Sequence, residues 1–311
     1  MYKTEKNLRW LIAYFLTSVL ILSACKPSSG EQATPSLNAL EKYEHGRGKI
    51  AFAAQETDTD DFDIFLLNMK SAELSKLTIH NGPDIAPALS RDGRQLVYAA
   101  NMEGTYDIFL QEVPDGEPVP LAKVNTDESE PRFSPDDKSI AYQSAQYGDY
   151  DIFIMDAQGG GVQVLTEVDS QETQASWSPD GERMAFVSDR DGDFEIFLMN
   201  TDGSNVEQLT ENTGYDAAPV WSPDGNRIAF ISKRGERFQL FTMDLESGEE
   251  TQLTDLPSTV HSPAWSPSGE ALAFISDQIG SSRVLVLELE SGSLYLISDE
   301  YEKYAGLSWV P

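Results

Sequence analysis

The chain has 311 residues, 40% of them hydrophobic, and 52 acidic residues against 22 basic ones give a formal charge of −30. That balance excludes the phosphate-neutralising basic surface that nucleic-acid binding needs, and it suits a self-repelling surface that attracts cations or a basic partner. The single cysteine, Cys25, excludes an intramolecular disulfide.

At the N-terminus, Lys3, Lys6 and Arg9 precede an apolar run from Trp10 to Leu22. The run is short for a bilayer span and carries the flanks of a signal peptide. Leu22-Ser23-Ala24-Cys25 resembles the bacterial lipobox. The resemblance implies cleavage before Cys25, diacylglycerol on its sulfur and an N-acyl chain. Such chains contribute about 0.8 kcal/mol per buried CH₂, so two or more anchor stably where one is marginal. Lys26 follows instead of Asp, which under the Gram-negative sorting rule implies the outer membrane, facing the periplasm. Residues 25–48, rich in Ser, Pro, Gly and charge, read as a flexible tether. The expected division is a signal peptide over 1–24, a tether over 25–48 and a folded body over 49–311.

The folded body is a repeat. Trp177-Ser-Pro-Asp-Gly181 recurs at Trp221–Gly225, with looser copies from Leu89, Phe133, Trp265 and Trp309, and each interval is 44 residues. A fixed spacing of this length marks copies of one supersecondary unit. In the fourth copy, Ala175 to Ser178 is a first strand turning at Pro179-Asp-Gly181, since Pro and Gly supply the turn dihedrals. Arg183–Ser188, rich in β-branched and aromatic residues, is a second strand. Asp189–Asp193 is a hairpin loop, Glu195–Met199 a third strand and Val206–Thr210 a fourth. Four antiparallel strands with short turns make a propeller blade. Counting the columns gives an all-β, six-bladed β-propeller. The first blade lacks its own first strand, and Leu307–Val310 supplies it from the other end of the chain. The same count gives the loop Gln55–Phe62 two residues more than its counterparts. The Trp column is expected to pack between adjacent blades.

Trp-Ser-Pro-Asp-Gly, Ile-Ala-Phe, Asp-Arg-Asp-Gly, Glu-Ile-Phe and Leu-Thr together resemble the TolB-type β-propeller repeat, over essentially all of residues 49–311. The resemblance implies a bacterial envelope protein that works through protein–protein contacts. Two features depart from TolB: the small α/β domain preceding its propeller is not seen, and the chain has its own expected lipid anchor. Similar repeats occur in prolyl oligopeptidase-type peptidases, but their Gly-x-Ser-x-Gly nucleophile motif does not occur here. The phosphate-binding glycine motifs and His-Glu-x-x-His are also missing.

Loops between second and third strands share a face with the blade-to-blade crossings, and that mouth of the central channel is the expected binding face. Its candidate residues are Asp58, Asp60, Asp61, Glu130, Asp149, Asp189, Asp191, Asp193, Lys233, Arg234 and His261. Asp84, Glu128, Glu172 and Asp216 also fall in the expected crossings. His80 and His261 read as solvated crossing residues. Arg132 is unlike its counterparts Ala88, Ser176, Val220, Ala264 and Ser308, and Glu130 is a candidate partner for it. Asp189, Asp191 and Asp193 alternate as in Ca²⁺ loops, but Gly192 falls at the fourth position rather than the sixth, so the EF-hand pattern fails. No cofactor is expected. The reading is a monomeric, lipid-anchored ring that binds an envelope protein or peptide without catalysis and touches the membrane through its anchor only. The alternatives are a carbohydrate-active lyase or glycosidase with carboxylates from different blades, or a cation- or small-ligand-binding surface lipoprotein.

Overall fold

The computed structural model describes residues 43, 46–56, 59, 61–278 and 281–311. The expected signal peptide, the lipidation at Cys25, most of the tether, and Asp58 and Asp60 lie outside the described residues. Blade one holds β1 (Lys49–Gln55), β2 (Phe62–Asn68) and β3 (Glu73–Lys76). Blade two is β4 (Asp84–Leu89), β5 (Gln95–Ala100), β6 (Asp107–Glu112) and β7 (Val119–Ala122). Blade three is β8 (Glu128–Phe133), β9 (Ser139–Ser144), β10 (Asp151–Asp156) and β11 (Gln163–Val164). Blade four is β12 (Glu172–Trp177), β13 (Arg183–Ser188), β14 (Glu195–Asn200) and β15 (Glu207–Gln208). Blade five is β16 (Asp216–Trp221), β17 (Arg227–Ser232), β18 (Gln239–Asp244) and β19 (Glu250–Gln252). Blade six is β20 (Thr259–Trp265), β21 (Ala271–Gln278), β22 (Ser281–Glu288) and β23 (Leu294–Ser298), and β24 (Lys303–Val310) completes blade one in the order β24-β1-β2-β3. The result is a six-bladed β-propeller of four-stranded antiparallel sheets.

Local chemistry explains the repeat. In the Ser-Pro-Asp-Gly turn, the Ser178 hydroxyl donates to Asp180 at 2.5 Å and accepts the Arg183 amide at 2.9 Å. Gly181 takes the left-handed conformation, φ 75°, that the turn demands. Second strands such as Met184-Ala185-Phe186-Val187 are apolar without alternation because neighbouring blades cover both of their faces. The Trp column seals the blades as expected. Trp177 Nε1 donates to the Arg132 carbonyl of the preceding blade at 3.2 Å, and Trp265 Nε1 to that of Val220 at 3.0 Å. The Arg183 and Arg227 guanidiniums lie 5.1 and 4.9 Å from the ring centroids of Trp221 and Trp265 in the following blades.

The strand boundaries differ from expectation in two places. The innermost strands begin three residues earlier, at Glu172 in blade four instead of Ala175. The outermost strand of that blade shrinks to Glu207–Gln208. Beyond it the Leu209 amide still donates to the Ile196 carbonyl at 2.7 Å, and the Thr210 side chain completes the edge by accepting the Ile196 amide at 2.9 Å and donating to Glu195 at 2.6 Å. The two additional residues of the first hairpin lengthen it by the pair Gln55↔Phe62.

Closure rests on β1, which pairs with β24 from Lys49↔Val310 to Gln55↔Lys303. Trp309 Nε1 donates to the Arg47 carbonyl at 2.9 Å. Gly48, at φ 89°, lies where a Cβ would fall 2.0 Å from the Val310 carbonyl oxygen, so only glycine fits. Removing Leu307–Pro311 is expected to lower the stability of the whole ring, and Trp309→Ala to cost about 3–5 kcal/mol through lost burial and the cavity left behind. Urea unfolding measures both, and an unchanged midpoint in the truncated chain would contradict closure by this strand.

Candidate functional site

The innermost strands β24, β4, β8, β12, β16 and β20 neighbour one another in a closed cycle and form the wall of the channel. Each carries a bulge at one register. Ala86, Glu130, Gln174, Ala218 and Ser262 take φ of 51–55° and Gly306 takes 59°, again 44 residues apart. Non-glycine residues in this region are strained. Side chains of the preceding blade receive several of the redirected amides. The Gln143 amide oxygen accepts Gln174 N at 3.0 Å, that of Gln174 accepts Ala218 N at 2.9 Å, and the Ser262 hydroxyl accepts Gly306 N at 3.3 Å.

Several expected mouth residues belong to this wall or behind it. Asp84, Glu128, Glu172 and Asp216 are not in crossings. They open the innermost strands and are 0–1% exposed, because those strands start earlier than the turn motif indicates. Glu130 stands in β8 at the bulge and pairs with Arg132 at 3.0 Å, each side chain 28% exposed. Arg132 also donates to the Pro131 carbonyl at 2.9 Å. The odd arginine therefore places an ion pair at the bulge register, where the counterparts of Glu130 are Ala86, Gln174, Ala218, Ser262 and Gly306.

His261 is likewise in a strand, β20, and is buried. Its Nδ1 is 3.0 Å from the Ser262 hydroxyl and its Nε2 is 3.1 Å from Asp277, which also accepts from Ser282 at 2.6 Å. Burial alone would raise Asp277; the charge and hydrogen bond of His261, with help from Ser282, hold it below the ordinary carboxylate value. His80 is half-buried, with Nε2 at 3.3 Å from the Tyr98 hydroxyl and 3.4 Å from Asp84, and burial lowers its pKa. His261 is enclosed by Ser262 and Asp277, whereas His80 stays in a crossing, packed against Tyr98 and Asp84 with 22% of its side chain exposed.

The hairpin loops on this face hold the remaining candidates. Asp61 accepts the Gly82 amide at 3.0 Å, Asp149 the Gln171 side chain at 2.8 Å, and Asp189 the Gln171 amide at 2.8 Å, so these three carboxylates pin crossings in place. Asp191 and Asp193 are exposed. Among the described residues no group of three or more His, Cys, Asp or Glu is arranged to hold a metal ion. Lys233 lies 5.8 Å from the Phe238 ring centroid. Arg234 stacks on Phe241 at 4.5 Å, bonds Ser232 at 3.0 Å and pairs with Glu250. Beside it is a cleft of about 210 Å³ lined by Arg234, Arg237, Gln239, Phe241, Gln252 and Asp255. Sequence reasoning missed a second set of residues on this face: Ile79 is 86% exposed, Tyr147 59%, Val168 44% and Val124 38%. Their one sequence signal is that Val124 and Val168 share a register, 44 residues apart.

Asp277→Ala, which takes the carboxylate from a buried imidazole, is expected to destabilise by about 1–3 kcal/mol. Asp191→Asn and Asp193→Asn, on an exposed loop, are expected to stay within about 0.5 kcal/mol of the parent. Chemical denaturation compares the three directly.

Comparison with known proteins follows the geometry. No curated protein matches the chain. Among solved structures, TolB from Acinetobacter baumannii superposes with a TM-score of 0.73 at 21% identity, over 85% of this chain and 67% of that one. A putative TolB from Agrobacterium tumefaciens gives 0.68 at 22%, over 85% and 99%. An oligogalacturonate lyase in complex with manganese gives 0.58 at 16%, over 84% and 78%. These likenesses are in fold. The TolB beta propeller domain family matches residues 107–217 and 207–311, and the chain belongs to that family.

Proposed function

We propose that this protein is a non-catalytic binding scaffold of the bacterial envelope, presenting the mouth of its channel to a protein or peptide. The observation that carries the reading is the pairing of a rigid ring with a mouth whose loops differ from blade to blade. Exposed apolar side chains at Ile79, Val124, Tyr147 and Val168 stand there among carboxylates. Exposed apolar residues rimmed by polar ones mark interaction surfaces. Family membership supports the envelope setting. The lipobox-like Leu22–Cys25 supports a lipid anchor, and Lys26 an outer-membrane position facing the periplasm. Glu130, Glu172 and Asp216 of the inner wall are engaged by the protein's own arginines, hydroxyls and amides, which favours the scaffold over a lyase or glycosidase.

Affinity capture from detergent-solubilised envelopes tests the reading. The parent protein is expected to retain a stoichiometric partner that an Ile79→Ser/Tyr147→Ser variant loses. Turnover of a polysaccharide panel by the purified protein would overturn it. Palmitate incorporation in growing cells is expected to depend on Cys25 and to disappear in Cys25→Ala.

A further inference from the structure

Where blades meet on the mouth side, a carboxyl from the third strand of one blade faces a carboxyl from the first strand of the next. The pairs are Asp63 with Asp84, Asp107 with Glu128, Asp151 with Glu172 and Glu195 with Asp216, each 21 residues apart. Burial raises Asp84, Glu128, Asp151 and Glu195, and repulsion from the carboxylate across the seam adds to it. All eight are buried, at 0–6% exposure. Two like charges buried together are costly unless one is neutralised.

Most seams carry a visible remedy. Asp63 has the Lys76 ammonium at 2.7 Å. Glu172 accepts from Ser170 at 2.5 Å and Ser188 at 2.8 Å, with the Arg190 guanidinium at 3.4 Å. The Asn212 amide bridges Asp216 at 2.8 Å and Glu195 at 3.4 Å, and Arg234 stands 4.0 Å from Asp216. At the next seam the register holds Gln239 and Val260, and the carboxyls are gone. Asp84 differs most. Among the described residues neither of its oxygens has a hydrogen bond of ordinary geometry, although His80 Nε2 lies at 3.4 Å and the Thr78 hydroxyl beside it acts to lower its pKa. Asp107 Oδ1 and Glu128 Oε2 are unpartnered, as are Glu172 Oε2 and Asp216 Oδ1 at the remedied seams. The other Glu128 oxygen accepts the Thr126 and Ser144 hydroxyls, each at 3.0 Å. Lys123, which acts on Asp107, is itself held by Glu103 at 2.9 Å on the surface.

We propose that blade two is docked into the ring through protonated carboxyls. Asp84 carries a proton at the seam with blade one, and Glu128 carries one at the seam with blade three. The surroundings favour this state. Around Asp84 stand Asp61, Asp63, Lys76, His80, Tyr98 and Tyr106, and burial pushes both tyrosines up, Tyr106 to about 12. Around Asp107 and Glu128 stand Glu103, Lys123, Asp127, Tyr142 and Tyr150. Both tyrosines are again raised by burial, so these phenols stay neutral while acids outnumber cations. Burial carries Asp84 to about 8 and raises Asp107 and Glu128 as well.

The folded values lie above the ordinary ones. The stabilisation is therefore complete below 3.8 and is lost as pH climbs through about 8, when negative charge enters the seams and blade two loosens. The carboxylates held low, such as Asp136 and Asp180, lose their contribution only in acid and leave the neutral-to-alkaline range alone.

Infrared spectroscopy at neutral pH is expected to show a protonated-carboxyl band that titrates away in mild alkali and weakens in Asp84→Asn and Glu128→Gln. The parent melting temperature is expected to fall by several degrees between about pH 6.5 and 8.5. The double variant, whose amides imitate protonated acids, is expected to lose most of that decline, because Asp151, at about 6, has largely titrated below this range. Absence of the band in the parent, which needs no variant to fold, would overturn the proposal. So would an equal decline in the double variant. Stabilisation of the parent but not of the variant by millimolar Ca²⁺ or Mg²⁺ would replace the proton with a metal ion.

Discussion

The antiparallel pairing of β24 with β1 is the contact on which the other blades depend. A propeller blade cannot bury both faces alone, because each face is covered by a neighbouring blade. The pairing therefore does more than satisfy backbone groups along one edge. It brings Trp309 and Leu307 against Ile50 and Phe52, and the same cluster takes in Ala273, Ile275 and Val286 of blade six. The two ends of the chain are thus joined by a hydrogen-bonded ladder and by the core behind it. Gly48 and the Trp309–Arg47 hydrogen bond place the ladder's first rung.

Closure also explains the strain in the wall. Six sheets converging on one axis crowd their innermost strands, and each strand responds with a bulge at the same register. A left-handed conformation costs a non-glycine residue roughly 1–2 kcal/mol. Bonds passed from blade to blade through Gln143, Gln174 and Ser262 offset that cost and tie the wall together. The bulge sets Glu130 beside Arg132, which gives blade three a charged residue at the bulge register where the other blades have Ala, Gln, Ser or Gly.

The repeat made much of this architecture legible. The spacing of the Trp-Ser-Pro-Asp-Gly copies located every blade, the missing first strand of blade one pointed to Trp309, and the two-residue offset of Ile50 placed the longer hairpin. Arg132 stood out by comparison with its own copies. The site was less legible. Asp84, Glu128, Glu172 and Asp216 looked like mouth residues because they lie between a Leu-Thr column and the next turn motif. Three more residues of strand put them inside. His80 and His261 looked solvated because their partners, Tyr98 and Asp277, are distant in sequence. Ile79 and Tyr147 carry no pattern that separates an exposed apolar side chain from a buried one.

By itself, then, the sequence determined the number of blades, their order and the way the ring closes. Those properties follow from local turn chemistry and from a period of 44 residues that slips only at the two-residue offset of Ile50. Only the tertiary structure decided which carboxyls face one another across a seam, which are neutralised by arginine or amide, and which stand without a partner. That information lies between residues 21 apart on different blades. It depends on how two sheets stack, and a one-dimensional pattern of charges does not record how far apart those charges end up or how much water is left between them.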